Sequence, residues 1–293
     1  MSQMRWLMEQ PDHVLSQHAV NREFLHADRT FLHYNIIRDT VHGRVIRREL
    51  TKDLDVYAAD IVDEIQHALA DNWGIDSVEW REVALYPTML DVIARISNRV
   101  LVGLPLCRNK EYNGYCSTFL QSVVITAGLM NLLPQYLEPL FAPILMLYDY
   151  YIYWRITRFI FPIVKERLKD FRPGMEYKKP DYSKHNDYIQ WALHDAFSHD
   201  DPIERTPEMV TRRLAVLSFA TIQSSVITIT NTLFDIASSD QGIYFQDALR
   251  TEVATTVSSA TAAAAAHDNK KKKTWTRATL SHLHRTDSAL RES

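Results

Sequence analysis

Apolar residues recur along most of this 293-residue chain at the three- and four-residue spacing of amphipathic α-helices. The pattern predicts helices over residues 35–54, 55–71, 87–102, 110–133, 140–171, 186–197, 206–239 and 244–253, and a last helix that starts near Trp275. No alternating segment of any length predicts a strand, and the nearest candidate covers residues 74–84. We therefore expect an all-α fold.

The helix expected over residues 206–239 is the longest and has the clearest start. Thr206 suits the N-cap position, Pro207 fits the first helical position, and Glu208 complements the helix dipole. At 1.5 Å per residue, a helix of this length spans about 50 Å, enough to cross a large domain. We expect it to be the central helix of the fold.

The middle of this long helix is rich in small and hydroxylated residues. Residues 219–225 are Phe-Ala-Thr-Ile-Gln-Ser-Ser, where a buried helix normally places Leu or Ile. Hydroxyls within a helix can bond to the carbonyl one turn earlier and bend or open the helix, which is common at functional sites. Two interpretations are open: a close helix–helix contact with locally satisfied hydroxyls, or a helix that passes over a large flat cofactor and delivers protons.

Composition and charge narrow the classes of function. Seven glycines are few for a parallel α/β protein or a β-sandwich, which need glycine at turns and phosphate loops. The formal net charge of −3 argues against a nucleic-acid partner, because phosphate binding requires an excess of Lys and Arg. Cys107 and Cys116 form no disulfide framework and suit an intracellular compartment. No closed set of metal ligands occurs at a standard spacing, so we expect no metal bound directly by side chains of this chain.

Two segments bear on organisation and on membranes. Residues 254–273, ATTVSSATAAAAAHDNKKKK, are of low complexity and predict a solvated insertion or linker. Residues 132–161 form the most apolar stretch, but prolines and charged residues interrupt it. We therefore expect no transmembrane anchor in this chain.

Residues 220–224, Ala-Thr-Ile-Gln-Ser, resemble the oxygen-binding helix of cytochromes P450. The family pattern there is Ala, a small residue, any residue, an acid or amide, then Thr or Ser. The resemblance implies that Ala220 and Thr221 lie over the haem face, and that Gln223 and Ser224 relay protons to bound dioxygen. Gln223 replaces the usual acid and cannot ionise, and Ser224 replaces the usual Thr.

Two further segments resemble parts of the same family. Residues 283–293 resemble the helix with the Glu-x-x-Arg ion pair, in which Glu292 would be the structural glutamate and the arginine would come three residues later. The first strong helix resembles the one that supplies a Trp or His and a basic residue to the haem propionates. That resemblance nominates His42 and Arg48, and a solvated helix face is the alternative interpretation of its arginines.

Residues 94–100, 103–109 and 186–191 resemble a fungal branch of secondary-metabolite P450s similar to ent-kaurene oxidase. The resemblance implies a partial P450 helical domain over residues 1–253, an Ala/Lys-rich insertion over 254–274 and a last helix over 275–293, with the family's β-sheets largely absent. For full-length relatives it implies haem b, NADPH-cytochrome P450 reductase, O2, a small apolar terpenoid- or polyketide-like substrate, and the endoplasmic reticulum membrane surface.

Neither cysteine matches the family's ligand loop, which is glycine-rich and flanked by Phe. Cys107 follows Gly-Leu-Pro-Leu, and Cys116 lies within Tyr-Asn-Gly-Tyr-Cys-Ser. Because the cysteine thiolate activates dioxygen in this chemistry, we expect an inactive fragment that lacks both ends of the P450 fold and does not bind haem stably. The alternatives are a non-enzymatic relic or binding remnant, or an incomplete gene model of an active monooxygenase.

Overall fold

The protein is described by a computed structural model that covers residues 5–7, 9–11, 13–31, 33–52, 54–76, 78–134, 136–171, 185–199, 201–238, 242–266 and 275–292. Within these ranges no strand occurs, which confirms the all-α prediction. The helices of four residues or more are, in chain order, α1 (Gln17–Phe24), α2 (Ala27–Thr30), α3 (Tyr34–Arg38), α4 (Val41–Lys52), α5 (Leu54–Trp73), α6 (Leu85–Leu101), α7 (Lys110–Asn131), α8 (Glu138–Leu168), α9 (Tyr188–Ser198), α10 (Pro207–Ser238), α11 (Gly242–Ala266), α12 (Arg277–Leu280) and α13 (His284–Glu292).

The long helix begins as its sequence predicts. The Oγ1 atom of Thr206 accepts a hydrogen bond from the backbone N–H of Met209 at 3.2 Å, so Thr206 is the N-cap of α10. Pro207 takes the first helical position, and the helix runs to Ser238, while residue 239 of the predicted helix lies outside the described residues. Capping chemistry therefore fixes this boundary locally.

The segment predicted as a single helix over residues 35–54 instead forms α3 and α4. The break falls at Asp39, whose backbone is extended (φ −125°, ψ 106°). Its carbonyl oxygen accepts a hydrogen bond from Nη1 of Arg213 at 2.6 Å. A contact with a residue far along the chain thus accompanies the break, and amphipathic periodicity does not reveal it.

The helix predicted over residues 244–253 is longer in the structure, because α11 continues to Ala266. Its last turns consist mainly of alanine, which has the highest helix propensity. The first part of the low-complexity segment is therefore helical, and residues 267–274 lie outside the described residues. The division of the chain into three parts stays a prediction.

The core forms around α10, which packs against α4, α6, α7, α8, α9, α11 and α13. On its core face, Leu214, Ile222 and Val226 are at most 1% exposed. Trp191 of α9 is fully buried and meets the ring of Tyr57 edge-on, with 5.2 Å between the ring centroids. Helices from α4 to α10 therefore share one apolar cluster, whose buried members run from Val41 to Val226.

Buried ion pairs connect the helices within this core. The fully buried Glu64 of α5 accepts hydrogen bonds from Nε of Arg95 at 2.9 Å and from Nε of Arg108 at 2.7 Å. Arg167 at the end of α8 donates through both terminal nitrogens to the carboxylate of Asp187, which precedes α9. The first cluster joins α5 to α6, and the second pair joins the end of α8 to the start of α9.

Among the described helices, α10 alone is long and apolar enough by length and composition to cross a membrane. A core helix of a soluble protein meets the same criteria, so this property is weak evidence for a spanning segment. Its N-terminal half is mostly buried inside the protein.

Candidate functional site

The middle and C-terminal parts of α10 present one exposed face to solvent. The residues on this face recur at helical spacing and are Ala220, Ser224, Ile227, Thr228, Asn231 and Phe234. Two apolar members, Ile227 and Phe234, are 43% and 55% exposed. We call these six residues the open face of α10. Small side chains, Ala220 and Ser224, lie at its start.

Several hydroxyl groups in this part of α10 bond back within the helix, whereas the buried hydroxyl of Thr230 has no partner among the described residues. Thr221 donates from Oγ1 to the carbonyl oxygen of Leu217 at 2.9 Å, and Ser224 donates from Oγ to that of Ala220 at 2.9 Å. The helix runs without interruption from Pro207 to Ser238. Hydrogen bonding back to the preceding turn, one of the two interpretations of this sequence, is therefore present, and it does not open the helix.

Gln223 has an unused acceptor. Its Oε1 atom is buried and has no hydrogen-bond partner among the described residues. Leaving a buried acceptor unpaired costs about 1–3 kcal/mol. The role of Gln223 as a proton relay stays a prediction.

His42 forms a hydrogen bond with the buried guanidinium of Arg213 on α10. Its Nδ1 atom lies 3.2 Å from Nη1 of Arg213, so the ring accepts the hydrogen bond at Nδ1. Arg213 is 2% exposed and donates to both carboxylate oxygens of Glu204, at 2.6 and 2.5 Å. Burial and the positive charge of Arg213 lower the pKa of His42 from 6.5 to about 4, so its imidazole is neutral at physiological pH.

Arg48 is exposed, with 45% of its side chain accessible, but it is paired with two buried carboxylates. Its Nε atom donates to Oε1 of Glu49 at 2.6 Å, and its Nη1 atom donates to Oδ1 of Asp195 on α9 at 2.8 Å. These two carboxylates compensate its charge, which suits a structural role for Arg48 in joining α4 to α9. Contact of His42 or Arg48 with a haem propionate stays a prediction.

Glu292 lies at the end of α13 and is exposed. Its Oε1 atom accepts a hydrogen bond from Oγ of Ser288 at 3.3 Å. The helix that contains it packs against both α10 and α11. Its role in a Glu-x-x-Arg pair stays a prediction.

The sequence did not lead us to predict the Arg213–Glu204 ion pair. A signal for it exists in the sequence, because Arg213 lies among apolar residues in the N-terminal half of α10, where a buried helix face is expected. A charged residue on such a face usually has a charged partner. The identity of that partner could not be read from helical periodicity.

His42 makes a testable contribution to the pH dependence of stability. Its imidazole titrates near 6.5 when the chain is unfolded and near 4 when it is folded, so between these values the unfolded state binds more protons. Stability therefore falls as the pH decreases through this window. We expect His42→Gln to flatten the decline, measured as the free energy of unfolding in urea at a series of pH values. Parallel profiles for the two proteins would contradict the assignment.

Comparison with known proteins finds relatives along most of the chain. It is 28% identical over 260 residues to the cytochrome P450 monooxygenase olcJ of Penicillium canescens, an alignment that covers 86% of this chain and 44% of the relative. It is 25% identical over 292 residues to the cytochrome P450 monooxygenase htyF of Aspergillus rugulosus, covering 99% of this chain and 41% of the relative. The chain is related to the fungal cytochrome P450 monooxygenases.

A third P450 relative, polB of Polytolypa hystricis, is 27% identical over 303 residues, covering 99% of this chain and 53% of the relative. The chain thus spans about half the length of the curated P450 relatives that it matches. No family model matches, and no solved structure is significantly similar.

P450 chemistry uses a haem whose iron is held by a cysteine thiolate, and the two cysteines of this chain do not fit that role. Cys107 is fully buried, and burial raises the pKa of its thiol to about 11. Cys116 is 4% exposed, and burial raises the pKa of its thiol to about 12. Both thiols are protonated and enclosed in the core, so neither is set up to hold an iron as a thiolate.

Proposed function

We propose that these residues form the distal helical part of a haem-thiolate monooxygenase that hydroxylates a small apolar metabolite. The open face of α10 carries this proposal, because it places Ala220 and Ser224 on an accessible helix surface within a chain related to P450s. In a polypeptide of the family's full length, electrons would come from NADPH through cytochrome P450 reductase at the endoplasmic reticulum membrane surface.

Within this proposal, the residues around Ala220 have distinct parts. Ala220 and Thr221 are small enough to let a flat macrocycle approach α10. Ser224 donates its proton to the carbonyl of Ala220 and keeps lone pairs with which to accept another hydrogen bond. Gln223 cannot ionise, so it would position a water or a hydroxyl through its unpaired amide oxygen.

We also propose that these 293 residues are inactive by themselves, because both thiols are buried and protonated. The proposed activity belongs to a polypeptide that combines this helical part with a cysteine ligand. The same chain could instead act without catalysis, as a relic or a binding remnant.

The first experiment is a carbon monoxide difference spectrum. The 293 residues are expressed with haem supplied and reduced with dithionite under carbon monoxide. We expect no red-shifted Soret band of the kind that thiolate-ligated ferrous haem gives. A thiolate-type band from soluble protein would contradict the proposal that neither cysteine is the iron ligand.

A chimera tests the monooxygenase proposal itself. This chain would replace the matching section of the Penicillium canescens relative, which supplies the rest of the polypeptide. We expect the thiolate-type band to form, and Ala220→Trp to reduce it by filling the space above α10. Ala254→Trp, at an exposed position on α11, is the matched control and should leave the band intact. A folded chimera that binds no haem would contradict the proposal.

A further inference from the structure

The outer face of α8 is apolar and exposed over its first half. Leu140, Ile144, Leu147, Tyr151 and Trp154 form this stripe, which we call the α8 seam, and they are 65, 60, 65, 48 and 52% exposed. Their spacing alternates between four and three residues, an average of 3.5. That repeat is the one by which a helix packs along a second helix in a coiled coil.

From Pro139 to Trp154 the α8 seam runs for about four turns without an exposed charged residue. Charges follow at its C-terminal end, where Arg155 donates to the hydroxyl of Tyr151 at 3.3 Å and the exposed Arg158 lies against the ring of Trp154. From Pro139 to Trp154 the only charged residue is Asp149, which is 1% exposed on the core side of the helix. A solvated helix face normally carries charged residues, and a helix that lies on a membrane surface normally carries Lys and Arg along its polar side. The lack of exposed charge from Pro139 to Trp154 therefore favours a protein helix over this part of the seam, and the two arginines mark its C-terminal end.

We propose that α8 is a dimerisation helix, which pairs antiparallel through the α8 seam with α8 of a second copy of this chain. The seam is aliphatic in its N-terminal part and aromatic in its C-terminal part. Antiparallel pairing sets Ile144 against Trp154 of the second copy, and Leu147 against Tyr151. One patch thus complements itself, as the interface of a twofold symmetric dimer requires.

The aromatic part of the seam is ordered before any partner arrives. The ring of Tyr151 lies 6.5 Å from that of Tyr148 and 6.2 Å from that of Trp154, between centroids. The guanidinium of Arg158 lies 5.1 Å from the centroid of the Trp154 ring. Side chains that are already held lose less rotamer entropy on association, which favours a stable interface.

The exposed area is sufficient for a specific dimer. With Phe141 and Tyr148 at its flank, 40% and 54% exposed, the seam comprises seven large apolar side chains. At roughly 200 Å² for each such side chain when fully exposed, the seven offer roughly 750 Å² per copy. A specific interface of standard size buries about 800 Å² per partner.

The oligomeric state tests the proposal directly. We expect sedimentation velocity over a concentration series to show a reversible dimer of the 293-residue chain. Leu147→Glu should raise the dissociation constant of this dimer at least tenfold. Ile75→Glu, at a 90% exposed position after α5, is the matched control and should leave the dimer intact. A monomeric parent chain, or a dimer that survives Leu147→Glu with unchanged helix content, would overturn the proposal.

Disulfide trapping tests the antiparallel direction. Mixing the Leu147→Cys and Tyr151→Cys variants under mild oxidation should give a mixed covalent dimer. Either variant alone should not form a disulfide. In an antiparallel homodimer its two identical cysteines are displaced by about 6 Å along the helix axis. Self-linking of each single variant would overturn the antiparallel arrangement. Flotation with anionic phospholipid vesicles tests the alternative occupant. If the parent chain is monomeric and floats with the vesicles, and Leu147→Glu abolishes the flotation, the α8 seam binds a membrane surface and the dimer proposal is wrong.

Discussion

Glu204→Gln is expected to lower the free energy of unfolding by about 3–5 kcal/mol, because it leaves the Arg213 cation buried without a countercharge. Arg213 is 2% exposed and Glu204 is 8% exposed. The glutamate accepts from Nε and Nη2 of the arginine at 2.6 and 2.5 Å, and the arginine continues to the carbonyl of Asp39 and to His42. Loss of the carboxylate charge therefore affects the junction of α3, α4 and α10. Urea unfolding followed by circular dichroism measures the effect.

The control for this variant is an exposed ion pair of the same kind. Asp247 and Arg250 on α11 lie 3.5 Å apart, with side chains 66% and 77% exposed. Asp247→Asn should therefore change the stability by less than about 0.5 kcal/mol. Adding Arg213→Met to Glu204→Gln should recover part of the loss, because the uncompensated charge is removed. A loss below about 1 kcal/mol for Glu204→Gln would show that water reaches Arg213.

Trp191→Ala is expected to cost about 3–5 kcal/mol, because it opens a large cavity in the centre of the core. Trp191 is fully buried, and its Nε1–H donates to Oδ1 of Asn186 at 3.0 Å. The same oxygen accepts a hydrogen bond from the hydroxyl of Tyr57 at 2.5 Å. The substitution therefore removes the packing of the indole and one of the two hydrogen bonds to Asn186. The measurement is again the free energy of unfolding in urea.

Trp80→Ala is the matched substitution at the surface. Trp80 is fully exposed in the segment between α5 and α6, so its loss should change stability by less than about 0.5 kcal/mol. If both tryptophan variants lost similar stability, the placement of α9 in the core would be wrong. If neither did, the core around Trp191 would be able to collapse onto the space that the substitution creates.

Much of the helical framework follows from local information. The start of α10 is fixed by Thr206 and Pro207, whose capping chemistry acts within one turn. The ends of α6 and α9 fall within a residue or two of the predicted boundaries, because apolar periodicity and turn residues determine them. The sequence prediction was wrong about the end of α11. Low complexity suggested a linker after residue 253, but the helix continues to Ala266 because alanine favours helix.

Less of the candidate site was accessible from the sequence. The residue pattern of the P450 oxygen-binding helix singled out Ala220 and Ser224, and the structure places both on the exposed side of α10. The resemblance to the family's propionate-binding helix nominated His42 and Arg48. It could not reveal that Arg213 holds His42, or that Asp195 holds Arg48.

The sequence by itself determined that the chain is all helical, where most of its helices lie, and that its long central helix resembles a P450 segment. Tertiary structure alone decided which charged residues neutralise one another, where the chain breaks between α3 and α4, and which face of α8 is exposed. The reason is the range of the interactions. Capping and helical periodicity act over a few residues, whereas Arg213 meets the carbonyl of Asp39 across 174 residues and Arg48 meets Asp195 across 147. Only the folded chain brings such groups together.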